Sequence, residues 1–117
     1  MKINEIQKLL DAKLYCGEDG LSRDVKSVCG SDLMSDVLAY NKDQSMLLTG
    51  LVNPQVIRTA VMMDMLCIVF VRSKTPSDEM LELAKDSGIV VMGTDMTMFT
   101  ACGKLYAGGI VNDFRVK

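Results

Sequence analysis

Apolar and polar positions change period several times along the chain, and each change predicts a new secondary-structure element. Apolar residues at helical spacing over residues 3–10 predict a short amphipathic helix. Two short apolar stretches, residues 14–16 and 25–29, follow on either side of an acidic loop that contains Gly17 and Gly20. We interpret them as two strands joined by this loop.

A second helix is predicted in the segment SDLMSDVLAYN, which begins at Ser31. Either Ser31 or Asp32 can serve as its N-cap, and the apolar residues that follow share one helical face. The apolar run SMLLTG then predicts a brief strand that ends at Thr49 and Gly50.

The best-defined helix start in the chain lies at Asn53 and Pro54, because asparagine favours the cap and proline the first helical position. The apolar face of this helix is predicted at Val56, Ile57, Ala60 and Val61, with Arg58 and Thr59 pointing elsewhere. The next run, MLCIVFV, contains no polar residue, which is typical of a central strand covered on both faces.

Two further helices and one strand are predicted in the last third of the chain. Thr75 and Pro76 are expected as the cap and first residue of one helix, and Gly88 as its left-handed end. The run IVVMG predicts a strand, and Thr94 or Asp95 is the expected cap of the last helix.

Strands that alternate with helices predict a single three-layer α/β domain over residues 1–107, with a mostly parallel central sheet flanked by helices. Residues 108–117 are expected to form a C-terminal extension that is loosely held or ordered by a partner chain. In a parallel sheet all strand-to-helix turns lie along one edge, where open α/β sheets usually bind ligands.

Composition and charge narrow the classes of function. The 117 residues have a formal charge of −2 with acids and bases interspersed, so direct nucleic-acid binding is not expected. No apolar run is long enough to span a membrane, so no membrane partner is expected. The first residues do not have the pattern of a secretion signal, and a cytoplasmic location is therefore predicted.

The chemistry available to the chain is limited, because it contains no histidine, the commonest general base. Its cysteines, Cys16, Cys29, Cys67 and Cys102, form no C-x-x-C pair, and we interpret them as reduced and mostly buried. The alternative is a redox-sensitive thiol or an iron–sulfur site, with Cys29 or Cys102 as the thiolate. We expect no catalytic residue, no metal and no cofactor.

Four predicted turns fall on the ligand-binding edge of the sheet. The candidate ligand-binding residues in and beside them are Ser31, Asp32, Thr49, Gly50, Asn53, Arg72, Thr94 and Asp95. A small anionic metabolite or nucleotide suits this edge, because helix amino termini attract anions. The same residue types are also what helix caps require, so capping alone is the alternative. Neither nucleotide-binding glycine motif is present.

Several segments together resemble the DRTGG domain family. The most telling are GSDLMSDVL at residues 30–38, the Thr49-Gly50 turn, the helix from residue 76 to residue 88, and residues 97–101. The resemblance covers nearly the entire chain, from about Met1 to Tyr106. The string Asp-Arg-Thr-Gly-Gly itself is not present, so no role of that string is carried over.

The resemblance implies an α/β fold, a homodimer and no established catalytic activity. Family members are similar to modules found beside phosphotransacetylase catalytic domains and CBS pairs. They also resemble the amino-terminal domain of HPr kinase and of ligases that build cell-wall precursors. Short stand-alone forms, which this chain resembles most, occur near iron–sulfur and hydrogenase genes, which implies a redox or regulatory protein partner.

We therefore expect a non-catalytic regulatory or protein-interaction module that senses a small anionic metabolite or nucleotide at the strand-to-helix turns. We expect it to dimerise through an apolar surface that includes some of its ten methionines. The alternative is a redox or iron–sulfur-associated accessory protein, or a small enzyme that uses a cysteine thiolate.

Overall fold

The computed structural model describes residues 1–40 and 43–111. These residues form a chain of alternating helices and strands with one short 3-10 turn at Glu18–Gly20. In chain order the elements are α1 Ile3–Leu9, β1 Lys13–Cys16, β2 Ser27–Gly30, α2 Met34–Leu38, β3 Ser45–Thr49, α3 Pro54–Met62, β4 Cys67–Phe70, α4 Asp78–Ser87, β5 Val90–Gly93 and α5 Met98–Ala107.

The strands form one sheet in the order β1-β5-β4-β3-β2. β2, β3, β4 and β5 are parallel, and β1 is antiparallel to β5 at one edge. This confirms the mostly parallel sheet predicted from the sequence. It also confirms that MLCIVFV contains the central strand, because β4 has two strands on either side.

Helices cover both faces of the sheet. Ile68 and Phe70 of β4 pack with α2, α3 and α4 on one face, while Cys67 and Val69 pack with α1 and α5 on the other. Burial on both faces explains why the strand sequence is apolar at every position. The predicted three-layer architecture is therefore confirmed.

The predicted cap of α2 is wrong. The residue before this helix is Leu33, not Ser31 or Asp32, and its side chain makes no capping hydrogen bond. The Ser31 hydroxyl accepts a hydrogen bond from the Leu33 N–H at 3.0 Å, within its own turn. Asp32 is bonded to the turn after β3, so neither side chain is available to the helix.

The predicted start of α4 is also wrong. Ser77 caps this helix by accepting a hydrogen bond from the Met80 N–H at 3.3 Å, and Thr75 and Pro76 precede it. The predicted end is right, since Gly88 has a left-handed φ of 71°.

Thr97, and not Thr94 or Asp95, caps α5. Its hydroxyl accepts a hydrogen bond from the Thr100 N–H at 3.3 Å. The Thr94 hydroxyl accepts a hydrogen bond from the Met96 N–H, which precedes the helix, and therefore does not cap it.

α3 begins at Pro54 after Asn53, as predicted, although the Asn53 side chain makes no capping hydrogen bond. The predicted buried face is wrong at two positions, since Thr59 is buried and Val61 is exposed. α3 lies between α2 and α4, and this neighbourhood decides which stripe of the helix is covered.

β2 begins at Ser27, two residues later than predicted, because the Val25 N–H bonds to the Met1 carbonyl at 2.8 Å. At the other end of the chain, Ile110 is buried in the core beneath α1 and α5. The rest of the predicted extension, residues 112–117, lies outside the described residues. Within the described residues, no helix is long and apolar enough to cross a membrane.

A glycine pair offers a test of this packing. We expect Gly17→Ala to lower the free energy of unfolding by about 2–4 kcal/mol. Gly17 has a φ of 95°, and an added Cβ would lie 2.7 Å from the backbone Cα of Val90.

The matched control is Gly103→Ala in α5, where an added Cβ meets no atom within 4 Å. We expect this change to raise the free energy of unfolding by about 0.5–1 kcal/mol, because alanine favours a helix interior. Urea denaturation followed by circular dichroism measures both variants. Equal stability of the two would contradict the described packing of the 17–20 turn against β5.

Candidate functional site

The carboxyl ends of β2, β3, β4 and β5 lie along one edge of the sheet, because the four strands are parallel. This edge is called the carboxyl edge below. It brings the predicted turns onto one side of the molecule. The candidate residues along it are Ser31 and Asp32 after β2, Thr49 and Gly50 at the end of β3, Asn53 before α3, Arg72 after β4, and Thr94 and Asp95 after β5.

Four of these residues form one polar network centred on the Asp32 carboxylate. Its Oδ1 accepts hydrogen bonds from the Gly50 N–H at 2.7 Å and the Thr49 hydroxyl at 3.1 Å. Its Oδ2 lies 3.5 Å from Nη2 of Arg72. The side chains of Asp32 and Arg72 are each about half exposed, so their ion pair adds little to stability and the network is open to solvent.

An unusual backbone conformation positions Arg72. Arg72 and Ser73 have φ angles of 58° and 60°, in the left-handed region that residues other than glycine rarely adopt. Backbone hydrogen bonds from Arg72 N to Met96 O at 2.8 Å and from Ser73 N to Thr94 O at 3.0 Å fix this turn. The guanidinium lies so close to Gly50 that a Cβ there would overlap Nη2, so the approach requires glycine.

Thr94 lies apart from this network, in the interior. Its hydroxyl donates a hydrogen bond to the Leu10 carbonyl at 2.7 Å and accepts one from the Met96 N–H at 3.3 Å. The residue is buried, so these bonds join the end of α1 to the turn after β5. We infer that Thr94 stabilises the fold of the carboxyl edge instead of contacting a ligand.

The remaining candidates are dispersed. Asp95 accepts a hydrogen bond from the Ser73 hydroxyl at 2.7 Å. Asn53 Oδ1 is buried and has no hydrogen-bond partner among the described residues. The Ser31 hydroxyl bonds to Leu33 within its own turn. The structure therefore brings together Asp32, Thr49, Gly50 and Arg72, but not all eight candidates.

A cleft of about 280 Å³ lies at the same edge of the sheet, on the side of β1. It is lined by Asp11, Lys13, Tyr15, residues 73–75 and residues 93–95. The Lys13 ammonium lies 5.2 Å from the centre of the Tyr15 ring, a cation–π contact. Lys13 and Tyr15 were missed by the sequence reasoning, because no local pattern reveals that β1 pairs antiparallel with β5.

The four cysteines are buried or partly buried. Burial raises the pKa of the thiol in Cys16, Cys29, Cys67 and Cys102 above its ordinary value. Each is therefore mainly a neutral thiol near neutral pH, which is unfavourable for a thiolate nucleophile or ligand. Within residues 1–40 and 43–111, no group of three or more cysteine, aspartate or glutamate side chains is placed to bind a metal.

Comparison with known proteins confirms the family resemblance. The family model described as the DRTGG domain matches residues 5–107, most of the chain. No curated protein sequence matches.

A solved structure of similar fold contains the CBS and DRTGG domains of the regulatory region of a Clostridium perfringens pyrophosphatase, complexed with the activator diadenosine tetraphosphate. It is 20% identical, with a TM-score of 0.68 over 89% of this chain. The chain spans 45% of that structure's length, so the two correspond over one part of the larger protein. At this level of identity the likeness establishes the fold.

The role inferred for Thr94 can be tested directly. We expect Thr94→Val to lower the free energy of unfolding by about 1–3 kcal/mol, because the buried Leu10 carbonyl loses its donor. Chemical denaturation measures the loss. Ligand affinity at the carboxyl edge should be unchanged, and a variant of normal stability with impaired ligand binding would contradict the inferred role.

Proposed function

Because the chain belongs to the DRTGG domain family, we propose that it is a regulatory module without catalytic activity of its own. Its signal is a small anionic metabolite or a nucleotide that binds at the carboxyl edge of the sheet. The observation that carries this proposal is the convergence of three donors on one carboxylate, that of Asp32. The Gly50 N–H and the Thr49 hydroxyl bond to its Oδ1, and the Arg72 guanidinium lies next to its Oδ2. Such a donor set suits a carboxylate or phosphate oxygen.

In the free protein the Asp32 carboxylate occupies the position between these donors. It is an anionic oxygen acceptor, as the proposed ligand group is. We propose that the anionic group of the ligand replaces Asp32. The exchange substitutes one anion for another at the same donors, so the hydrogen bonds lost are regained. The half-exposed position of Asp32 leaves it free to turn toward solvent.

Displacement of Asp32 also suggests how binding is signalled. Asp32 lies in the turn that leads into α2, a helix of five residues without a side-chain cap. Short, uncapped helices have little stability of their own. Release of Asp32 therefore alters the position of α2 more readily than that of any longer helix.

Nucleotides are the first probes to use, because the structural neighbour was solved with diadenosine tetraphosphate, a dinucleotide. The polyphosphate of such compounds supplies the anionic oxygens that the donor set can accept. Acyl phosphates and simple carboxylates complete the set of probes.

The proposed site predicts opposite effects for two charge changes. A thermal-shift screen should find an anionic compound that raises Tm, because a ligand that binds only the folded state stabilises it. Arg72→Gln should weaken its binding by roughly tenfold through loss of a charged donor. Asp32→Asn should tighten it by roughly threefold to tenfold, because it removes the competing negative charge.

The matched control is Arg58→Gln, which removes one exposed positive charge on α3 outside the network. It should leave affinity within twofold of the starting protein, roughly the range of a surface charge. Weaker binding by Asp32→Asn would show that Asp32 contacts the ligand instead of competing with it. The absence of a shift with every compound would favour protein partners and a capping role for the polar turns.

The homodimer is proposed on a second observation, the distribution of exposed apolar side chains. Among the described residues, large exposed apolar side chains occur in the two helices next to the edge strand β2, one on each face of the sheet. They are Leu33 and Leu38 of the α2 region, Phe99 and Tyr106 of α5, and Val111. The helix α2 directly follows the edge strand β2, and α5 packs against β2. An edge strand flanked by apolar residues is a favourable surface for a second copy of the chain.

Phe99 is the residue on which to test this surface, because it is 89% exposed. Phe99→Asp should weaken the dimer by at least roughly tenfold, the effect expected of a buried aromatic contact. Met62→Asp is the control, since Met62 is 69% exposed at the end of α3, away from β2. Light scattering over a concentration series measures both, and equal dimer strength in the two variants would contradict this interface.

A further inference from the structure

A wide cleft lies at the opposite edge of the sheet, where the parallel strands begin. It encloses about 620 Å³ between the end of β1, the 3-10 turn at Glu18–Gly20 and the end of α4. Cleft volumes of roughly 300–1,000 Å³ are typical of small-molecule sites. It is separate from the Asp32 network, since none of the four network residues lines it.

The exposed guanidinium of Arg23 forms part of this cleft. Arg23 Nη1 donates a hydrogen bond to the Gly88 carbonyl at 2.7 Å. The guanidinium also lies over Gly20, where an added Cβ would lie 3.3 Å from Cζ. Arg23 is therefore held between two glycine backbones, and only one of its five N–H groups has a hydrogen-bond partner among the described residues.

Lys85 of α4 supplies a second positive charge. It is exposed, and it lines the cleft together with Arg23. Within the described part of the chain, neither Arg23 nor Lys85 forms an ion pair with an acidic side chain. The cleft thus contains two cations that have no carboxylate of their own, unlike Arg72 at the carboxyl edge.

We propose that this cleft is a second binding site, for a small metabolite that carries a single carboxylate or phosphate group. Arg23 supplies a preorganised planar donor for the anionic oxygens, and Lys85 supplies a point charge. Leu14 and Ile89 also line the cleft and supply apolar surface for the rest of the molecule.

The acidic residues of the cleft restrict the ligand further. Glu18 and Asp19 are exposed at its rim and repel additional negative charge. The site therefore favours a ligand with a single anionic group over a polyphosphate.

The glycines of the chain allow one experiment to report on both edges. In protein labelled with ¹⁵N-glycine, the amide signals of Gly17, Gly20 and Gly88 report on the cleft, and that of Gly50 reports on the Asp32 network. Gly103, in open space on α5, is the internal control. Inorganic phosphate and acetate are the probes, with tripolyphosphate as the more highly charged comparison.

We expect phosphate or acetate to shift the three cleft signals in a saturable way. Arg23→Gln should raise the apparent Kd by roughly tenfold, because a charged donor is lost. Lys85→Gln should raise the apparent Kd by a smaller factor. This second variant leaves the Arg23–Gly88 hydrogen bond in place, so its effect on binding is separate from any change in that contact. Arg72→Gln, with the same charge change at the other edge, should leave the cleft signals unchanged.

The proposal is wrong if the cleft signals do not move, if tripolyphosphate binds there more tightly than phosphate, or if both Arg23→Gln and Lys85→Gln bind normally. A shift of Gly50 without a shift of the cleft signals would reject this site while supporting the proposed function. A shift of the cleft signals without a shift of Gly50 would support the second site and count against anion binding at the carboxyl edge.

Discussion

Parallel pairing of β4 with β3 and β5 is the constraint on which both the core and the candidate sites depend. Parallel strands require a helix or loop to return the chain, so helices cover both faces of the sheet. Their side chains are buried on both sides, which gives the strands their continuous apolar sequence. The same pairing places the carboxyl ends of the four parallel strands at one edge of the sheet. The polar turns that follow these strands therefore lie close together, although no local sequence pattern links them.

The two edges of the sheet differ in how their charges are balanced. At the carboxyl edge, Arg72 faces the carboxylate of Asp32, which also takes the donors of the β3 turn. At the opposite edge, Arg23 is oriented by a backbone carbonyl and not by an acid. A paired cation exchanges one anion for another, whereas an unpaired cation gains a partner on binding. On our proposals an incoming anion replaces an acidic side chain at the carboxyl edge and pairs with a free cation at the opposite edge.

Polar residues near helix starts show why sequence reasoning succeeded for the fold and failed for several details. Ser31, Asp32, Thr94 and Asp95 all have side chains that can cap a helix, and each was considered for that role. In the structure their oxygens bond elsewhere, Thr94 to Leu10 and Asp32 to Gly50. These partners are 84 and 18 residues away in sequence, so no local pattern could distinguish them from Ser77 and Thr97, which do cap helices.

The sequence by itself determined the order of strands and helices, the central position of MLCIVFV and the parallel character of the sheet. Those properties follow from periodicity and from burial on both faces, which are local features of the chain. Tertiary structure alone decided that β1 joins β5 in the antiparallel direction, that Asp32 meets Arg72, and that Arg23 meets Gly88. These are contacts between distant segments, and their partners are fixed only when the strands take their places in the sheet.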